Sequence, residues 1–217
     1  MNFHSRIWSV CPGGNTAILG RQQMTKAELF MKTGLLSNLY AALLVICTLA
    51  LPHLSLAQVQ PKLQAAIFIK LLNYDAAMAK KSARKVIFHI ILDAKTTSDE
   101  SILTTEFNAI SRQKIAGKSV EVVATRLSAL DANTDPNVVN VYYLPDGSAR
   151  TTLDTVVRKA TAMQIPVLSG NAELVQSGAA VGITVTNGKP EIIVNLRQSK
   201  AMGMNLSSQL LKLVKII

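Results

Sequence analysis

Chemistry needs side chains that titrate, ligate or attack, and this 217-residue chain offers few of them. Its histidines are His4, His53 and His89; its cysteines are Cys11 and Cys47. Only His89 lies beyond the first 57 residues. It stands in the middle of "KVIFHIIL" (85–92), facing the same way as Ile87 and Ile91. A lone imidazole there reads as a hydrogen-bonded core or edge residue, and no second His or Cys accompanies it to build a zinc site. Ser169, in "LSGNAE", lacks the glycine two residues earlier that a nucleophile elbow requires. "DGSAR" (146–150) and "GAAVG" (178–182) contain glycines, but neither has the glycine pattern of a phosphate loop between strand and helix. No pair of carboxylates has a telling spacing. The chain therefore reads as a protein that is not an enzyme, with no catalytic, metal-binding or cofactor-binding residues to assign.

What remains is a set of polar loops. Asp93, the turn Pro145-Asp146-Gly147-Ser148 and the triplet Ser169-Gly170-Asn171 each follow an apolar run that reads as a strand. In open parallel sheets ligands bind just beyond the carboxyl ends of the strands. Asp93, Asp146, Ser148, Ser169 and Asn171 are thus the candidate ligand loops. The plainer reading is that they are turns and caps, with Asn171 capping a short helix.

The elements that would position these loops follow an α/β order. Pro61 opens a helical stripe of Leu63, Ile67 and Leu71 with Phe68, Leu72 and Met78 beside it, ended by Lys80, Lys81, Arg84 and Lys85. "KVIFHIIL" is a continuous branched run, as in strands buried on both faces. A helix is predicted over 101–114, then strands over 119–127 and 138–145, a helix near 150–163, a strand over 165–170 and a short helix over 171–177. "AAVGITVT" (179–186) and "EIIVNL" (191–196) flank Asn187-Gly188, a strong hairpin turn. The result is one domain. It has a mostly parallel sheet with helices on both faces and an antiparallel hairpin at an edge.

A closing amphipathic helix is predicted from near Arg197, with Leu206, Leu210, Leu213, Val214 and Ile217 on one face and Lys212 and Lys215 on the other. That face would complete the core. The sharper expectation is a partner or dimer surface formed by Phe68 and Leu72 of the first helix with Met202 and Met204, methionine being adaptable at such surfaces.

The first 57 residues read as a leader. Lys32 precedes the apolar run "LLSNLYAALLVICTLAL", and Ser55-Leu56-Ala57 fits a signal-peptidase site, placing the working domain at 58–217. An uncleaved N-terminal anchor is the alternative, although the run is short for a membrane span of about 20 residues. Some thirty residues upstream of Lys32 are more than a signal needs, so translation is expected to start at Met24 or Met31 rather than Met1. A lipoprotein is disfavoured, since Cys47 follows Ile46 inside the apolar run. Four of the 23 basic residues (Arg6, Arg21, Lys26, Lys32) and one of the 13 acids (Glu28) fall in the leader; the other 160 residues keep 19 and 12, a net charge of +7. Export argues against nucleic acid as a partner. A solvated basic face, an anionic membrane surface or an acidic partner fit the charge.

The closing stretch "EIIVNLRQSKAMGMNLSSQLLKLVKII" resembles the end of the YfiR family in Val194-Asn195-Leu196, Gly203 and Ser207-Ser208-Gln209-Leu210-Leu211. "LQAAIFIKLLNYD" (63–75), "IAGKSVEVVATRL" (115–127) and "VVNVYYLP" (138–145) extend the likeness over nearly all of 60–217. The resemblance implies a periplasmic regulator. It would bind the sensor domain of a membrane diguanylate cyclase and hold it inactive, with effects on cyclic-di-GMP and biofilm, and several members form dimers. This chain departs from the family in reading Asn73-Tyr74-Asp75 where members often carry Trp-Pro, and in lacking the disulfide cysteines of some members. "IPVLSGNAELVQSGAAVGI" (165–183) also resembles the second half of periplasmic solute-binding domains. That implies a fold like half of a periplasmic binding protein, and leaves open a small-molecule binding module feeding a sensor or transporter.

Overall fold

Proline has no N–H to leave unsatisfied in a first helical turn, and Pro61 opens α1 (Pro61–Asn73). The computed structural model describes residues 59–130 and 135–217, so the leader, its cleavage point and the start codon lie outside the described residues. α1 buries Gln64, Ala65, Phe68, Ile69, Leu71 and Leu72, whereas Leu63, expected on the inner stripe, is 46% exposed. The stripe does not run through as one helix. The Asp75 carboxylate accepts the Ala77 N–H at 2.9 Å and caps a separate short helix, α2 (Ala76–Lys80).

β1 (Lys85–Leu92) is the centre of the sheet. Val86, Phe88 and Ile90 are fully buried on one face; Ile87 and His89 are half-buried on the other. Next come α3 (Glu100–Asn108), β2 (Lys114–Ile115) and β3 (Lys118–Arg126). The helix expected over 101–114 thus ends at Asn108. Ala116 and Gly117, at φ 48° and 82°, make a tight turn that pairs β2 antiparallel with β3. β4 (Val138–Leu144) is almost wholly buried and leads into α4 (Arg150–Met163), which stops at Gln164 with φ 53°. β5 (Val167–Ser169), α5 (Ala172–Gln176), β6 (Val181–Thr186) and β7 (Lys189–Val194) follow. Asn187 and Gly188, at φ 51° and 74°, form the hairpin expected between β6 and β7.

The sheet has eight strands in the order β2-β3-β1-β4-β5-β6-β7, closed by the short strand β8 (Lys215–Ile216). β3, β1, β4, β5 and β6 are parallel, and β7 runs against β6. The chain leaves β1 toward β3 and returns across to β4, so the direction of winding reverses between β1 and β4. Right-handed crossovers on either side of such a reversal put helices on opposite faces. The expected α/β domain with a mostly parallel sheet is what forms. Its core is tied by aromatics from four elements: Phe107 of α3 lies 4.4 Å from Tyr143 of β4, Tyr143 is 5.9 Å from Phe68 of α1, and Phe88 of β1 is 6.5 Å from Phe107, all between ring centroids.

The closing segment corrects the single long helix. It is α6 (Leu196–Ala201), a turn, α7 (Ser208–Leu211) and then β8, which pairs parallel with β7 through Ile193–Lys215 and Val194–Ile216. Gly203 at φ +75° breaks the first helix, and a Cβ there would stand 2.9 Å from Gln164 Cβ. The Ser207 hydroxyl accepts the Leu210 N–H at 3.3 Å and starts the next helix. The end is rich in branched residues, and the open edge of β7 captures it as a strand.

Candidate functional site

The reversal between β1 and β4 is where an open α/β sheet usually leaves a crevice. Here the chain fills that crevice with its own side chains. Asp93 follows β1. Its Oδ1 accepts the Lys95 and Thr96 N–H groups at 2.9 and 3.1 Å and the Thr96 hydroxyl at 3.1 Å. Its Oδ2 reaches across and accepts the Ala149 N–H and the Thr152 hydroxyl, both at 2.8 Å. A carboxylate thereby occupies the positive end of α4, the place an anionic ligand would take. Burial pushes the Asp93 carboxyl up, but the hydrogen bonds from Ala149, Thr152, Lys95 and Thr96 outweigh it and hold the group below its ordinary value.

Beside it stands a second network, centred on a residue the sequence did not single out. Gln64 of α1 is fully buried. Its Oε1 accepts the Tyr143 hydroxyl at 2.6 Å, and its amide nitrogen donates to the Val59 carbonyl at 2.6 Å and to Asp146 Oδ2 at 3.1 Å. Burial, reinforced by the charge of Asp146, pushes the Tyr143 phenol well above its ordinary value, so it serves as a fixed donor and not as a base. Gly170 makes the arrangement fit: a Cβ there would collide with Asp146 Oδ1 and Gln64 Oε1. The available signal for Gln64 was a polar residue on the apolar stripe of a helix.

All five sequence-expected loop residues meet at this end of the sheet. Ser169 is fully buried; its hydroxyl donates to the Leu144 carbonyl at 3.1 Å and accepts the Asn171 N–H at 3.1 Å. Asn171 Oδ1 caps α5 through the Glu173 N–H at 2.8 Å, and its amide reaches the Asp146 carbonyl at 3.4 Å. Ser148 is 9% exposed, and its hydroxyl has no partner among the described residues. Three open clefts surround this end. One of about 590 Å³ lies among Asp146, Asn171, Glu173, Ile183 and Thr184. A second of about 480 Å³ lies among Pro61, Asp99, Ile102, Tyr143 and Asp146. A third of about 460 Å³ lies beside Asp93 and Arg126.

The surface expected from Phe68, Leu72, Met202 and Met204 does not form. Phe68, Leu72 and Met202 are fully buried and Met204 is 5% exposed. Met202 ends α6 and Met204 follows the break at Gly203, and both join the core, as do Phe68 and Leu72 of α1. His89 takes the structural role expected of it. Nδ1 lies 3.0 Å from the Thr125 hydroxyl, Nε2 lies 3.0 Å from Asn140 Oδ1, and the ring stands edge-on to Tyr142 at 5.5 Å. Burial lowers its pKa, the Asn140 bond and the Glu121 charge opposing. Among the described residues no group of three or more His, Cys, Asp or Glu could hold a metal ion.

A family model for YfiR/HmsC-like proteins matches residues 61–215. The chain belongs to the YfiR/HmsC-like family. The match runs from the first turn of α1 to β8, so both networks described above lie within it except for the Val59 carbonyl. No curated protein matches the chain by sequence. Among solved structures it is similar to an ABC domain from Streptococcus pneumonia in complex with L-Trp, with 13% identity, a TM-score of 0.46 and coverage of 73% of this chain and 60% of that one. It is also similar to the ligand-free, open form of a substrate binding protein with adhesive properties from Clostridium difficile, with 18% identity, a TM-score of 0.42 and coverage of 63% and 55%. A conserved domain protein from Vibrio cholerae O1 biovar El Tor shows 11% identity, a TM-score of 0.45 and coverage of 70% and 59%. This YfiR/HmsC-like chain spans 60% or less of the length of each of these.

Proposed function

We propose that this YfiR/HmsC-like protein is an exported, non-catalytic regulator. It docks on the extracytoplasmic sensor domain of a membrane diguanylate cyclase and holds it inactive. One observation supports recognition by surface over an enclosed ligand: Asp93 already stands at the start of α4, accepting the Ala149 N–H and the Thr152 hydroxyl, both at 2.8 Å. The docking surface is the second cleft with the helix ends beside it. Ile102 of α3 is 61% exposed and Leu63 of α1 is 46% exposed, large apolar side chains with no covering segment among the described residues.

The test is capture from native membranes with the protein as bait, followed by mass spectrometry. The expected catch is a membrane protein with an extracytoplasmic sensor and a cytoplasmic cyclase domain, lost with Ile102→Asp at unchanged melting temperature. Capture of only a transporter subunit, or of nothing from the membrane, would sink the reading.

The second reading is a periplasmic small-molecule binding module, favoured by the cleft of about 590 Å³ where Asp146, Asn171 and Glu173 face apolar Ile183. It predicts a ligand that raises the melting temperature, since binding the native state alone stabilises by about 2.7 kcal/mol at one hundred times Kd.

A further inference from the structure

The two ends of the sheet differ in charge. The carboxyl end, with its clefts, mixes signs: Asp93, Asp99, Asp146 and Glu173 stand there with the exposed Lys95, Arg126, Arg150 and Lys189. The amino end is different. β1 and β3 begin there at Lys85 and Lys118, and β7, running the other way, ends there at Val194. Lys80, Lys81, Arg84 and Lys114 stand exposed on one side of that end. Arg197, Lys200, Lys212 and Lys215 stand exposed on the other. The end of α1 joins the two groups: the Asn73 amide donates to the Lys114 carbonyl at 3.3 Å, and the Tyr74 carbonyl accepts the Ser207 N–H at 3.0 Å.

The acids at this end do not balance the cations. Asp75 is buried, its carboxylate held by the Ala77 and Asn205 N–H groups. Glu121 pairs with Lys85 at 2.7 Å, Asp135 accepts from Asn137, and Glu106 stands half-buried in the last turn of α3, so three acids with exposed or part-exposed side chains face eight exposed cations.

The second observation is apolar. Seven large apolar side chains are exposed among the described residues, and five lie at the amino end: Tyr74, Met163, Leu213, Ile216 and Ile217. Leu213 is 81% exposed between Lys212 and Lys215. A protein interface would gather its anchors into one central pocketed cluster. Here they are spread over the ends of α1, α4 and the β8 edge, interleaved with cations. Basic and apolar side chains mixed on one face suit a charged interface with a soft apolar layer beneath it.

We propose that the amino end of the sheet docks on an anionic phospholipid surface, with its lysines and arginines at the phosphates and Tyr74, Leu213 and Ile216 entering the headgroup layer. The clefts at the opposite end then point away from the bilayer. Each cation held near an anionic leaflet contributes about fivefold to partitioning.

The test mixes the protein, purified as cells produce it, with vesicles of phosphatidylglycerol and phosphatidylcholine, and with vesicles of phosphatidylcholine alone; sedimentation reads the bound fraction. Binding is expected to the anionic vesicles and to weaken as salt rises. Lys80→Ser with Lys81→Ser, and Lys212→Ser with Lys215→Ser, are each expected to lower partitioning by about tenfold or more. Lys95→Ser with Lys189→Ser, at the clefted end, should leave it unchanged. The salt series on the unaltered protein gives the same answer if a variant fails to fold. Equal binding to neutral vesicles, no binding to anionic ones, or charge variants without effect would overturn the proposal. So would retention of the basic face by an acidic protein in place of vesicles. Ile102 lies outside this face, so loss of the cyclase partner and loss of vesicle binding are separable.

Discussion

Asp93 Oδ2 and the backbone nitrogen of Ala149 lie 2.8 Å apart, although 56 residues separate them. This bond spans the reversal of the sheet and ties the end of β1 to the start of α4. Replacing Asp93 with Asn removes the charge and puts an amide donor in competition with the Ala149 N–H and the Thr152 hydroxyl. A loss of about 1–2 kcal/mol is expected, read as a lower urea midpoint at unchanged slope. The sign of the pH effect follows from the lowered pKa. The stabilisation is present above the ordinary Asp value of 3.8 and disappears as pH falls below it through the folded value. Asp93→Asn should flatten that acid limb.

His89 predicts a second and separate pH dependence. Its folded pKa lies below 6.5 because burial disfavours the imidazolium. As pH falls below about 6.5 the unfolded chain takes the proton first, so stability drops from there down to the folded pKa, at no more than about 1.4 kcal/mol per pH unit. His89→Gln keeps a polar partner for Asn140 and should abolish this limb. A slope that survives the replacement would assign it to other groups.

Gly170→Ala tests the Gln64–Tyr143–Asp146 network. The added Cβ would collide with Asp146 Oδ1 and Gln64 Oε1, neither the free end of a surface chain. Overpacking of this kind costs about 1–3 kcal/mol. A melting temperature equal to that of the unaltered protein would show that the network relaxes freely.

Met202 and Leu213 form a contrasting pair, eleven positions apart in the same closing segment. Met202 is fully buried and Leu213 is 81% exposed. Met202→Ala should lose about 2–4 kcal/mol in chemical denaturation, whereas Leu213→Ser should change stability by less than about 0.5 kcal/mol. The reverse result would return the methionines to the surface.

Local signals carried the elements whose conformation is dictated locally. Asn187-Gly188 was legible because a two-residue hairpin needs positive φ at both positions, and few residues accept it. β1 was legible because a central strand, buried on one face and half-covered on the other, carries branched apolar residues at most positions. Asn171 was legible as a cap because its carboxamide needs only a neighbour two residues away. The closing segment misled because leucines at 206, 210 and 213 keep helical spacing while the partner that decided otherwise, the open edge of β7, is not local. Gln64 escaped because its acceptors and donor come from Val59, Tyr143 and Asp146, brought to it by packing.

The sequence by itself determined the main run of strands and helices from α1 to β7, the scarcity of His and Cys chemistry beyond residue 57, and the net positive charge, all of which depend on residue type and spacing alone. The tertiary structure decided which apolar residues became core, that Asp93 would reach across to the start of α4, and that eight exposed cations from three separate stretches would share the amino end of the sheet. Those outcomes rest on strand register and crossover direction, which place residues tens of positions apart within a hydrogen bond of each other, and no local propensity encodes that distance.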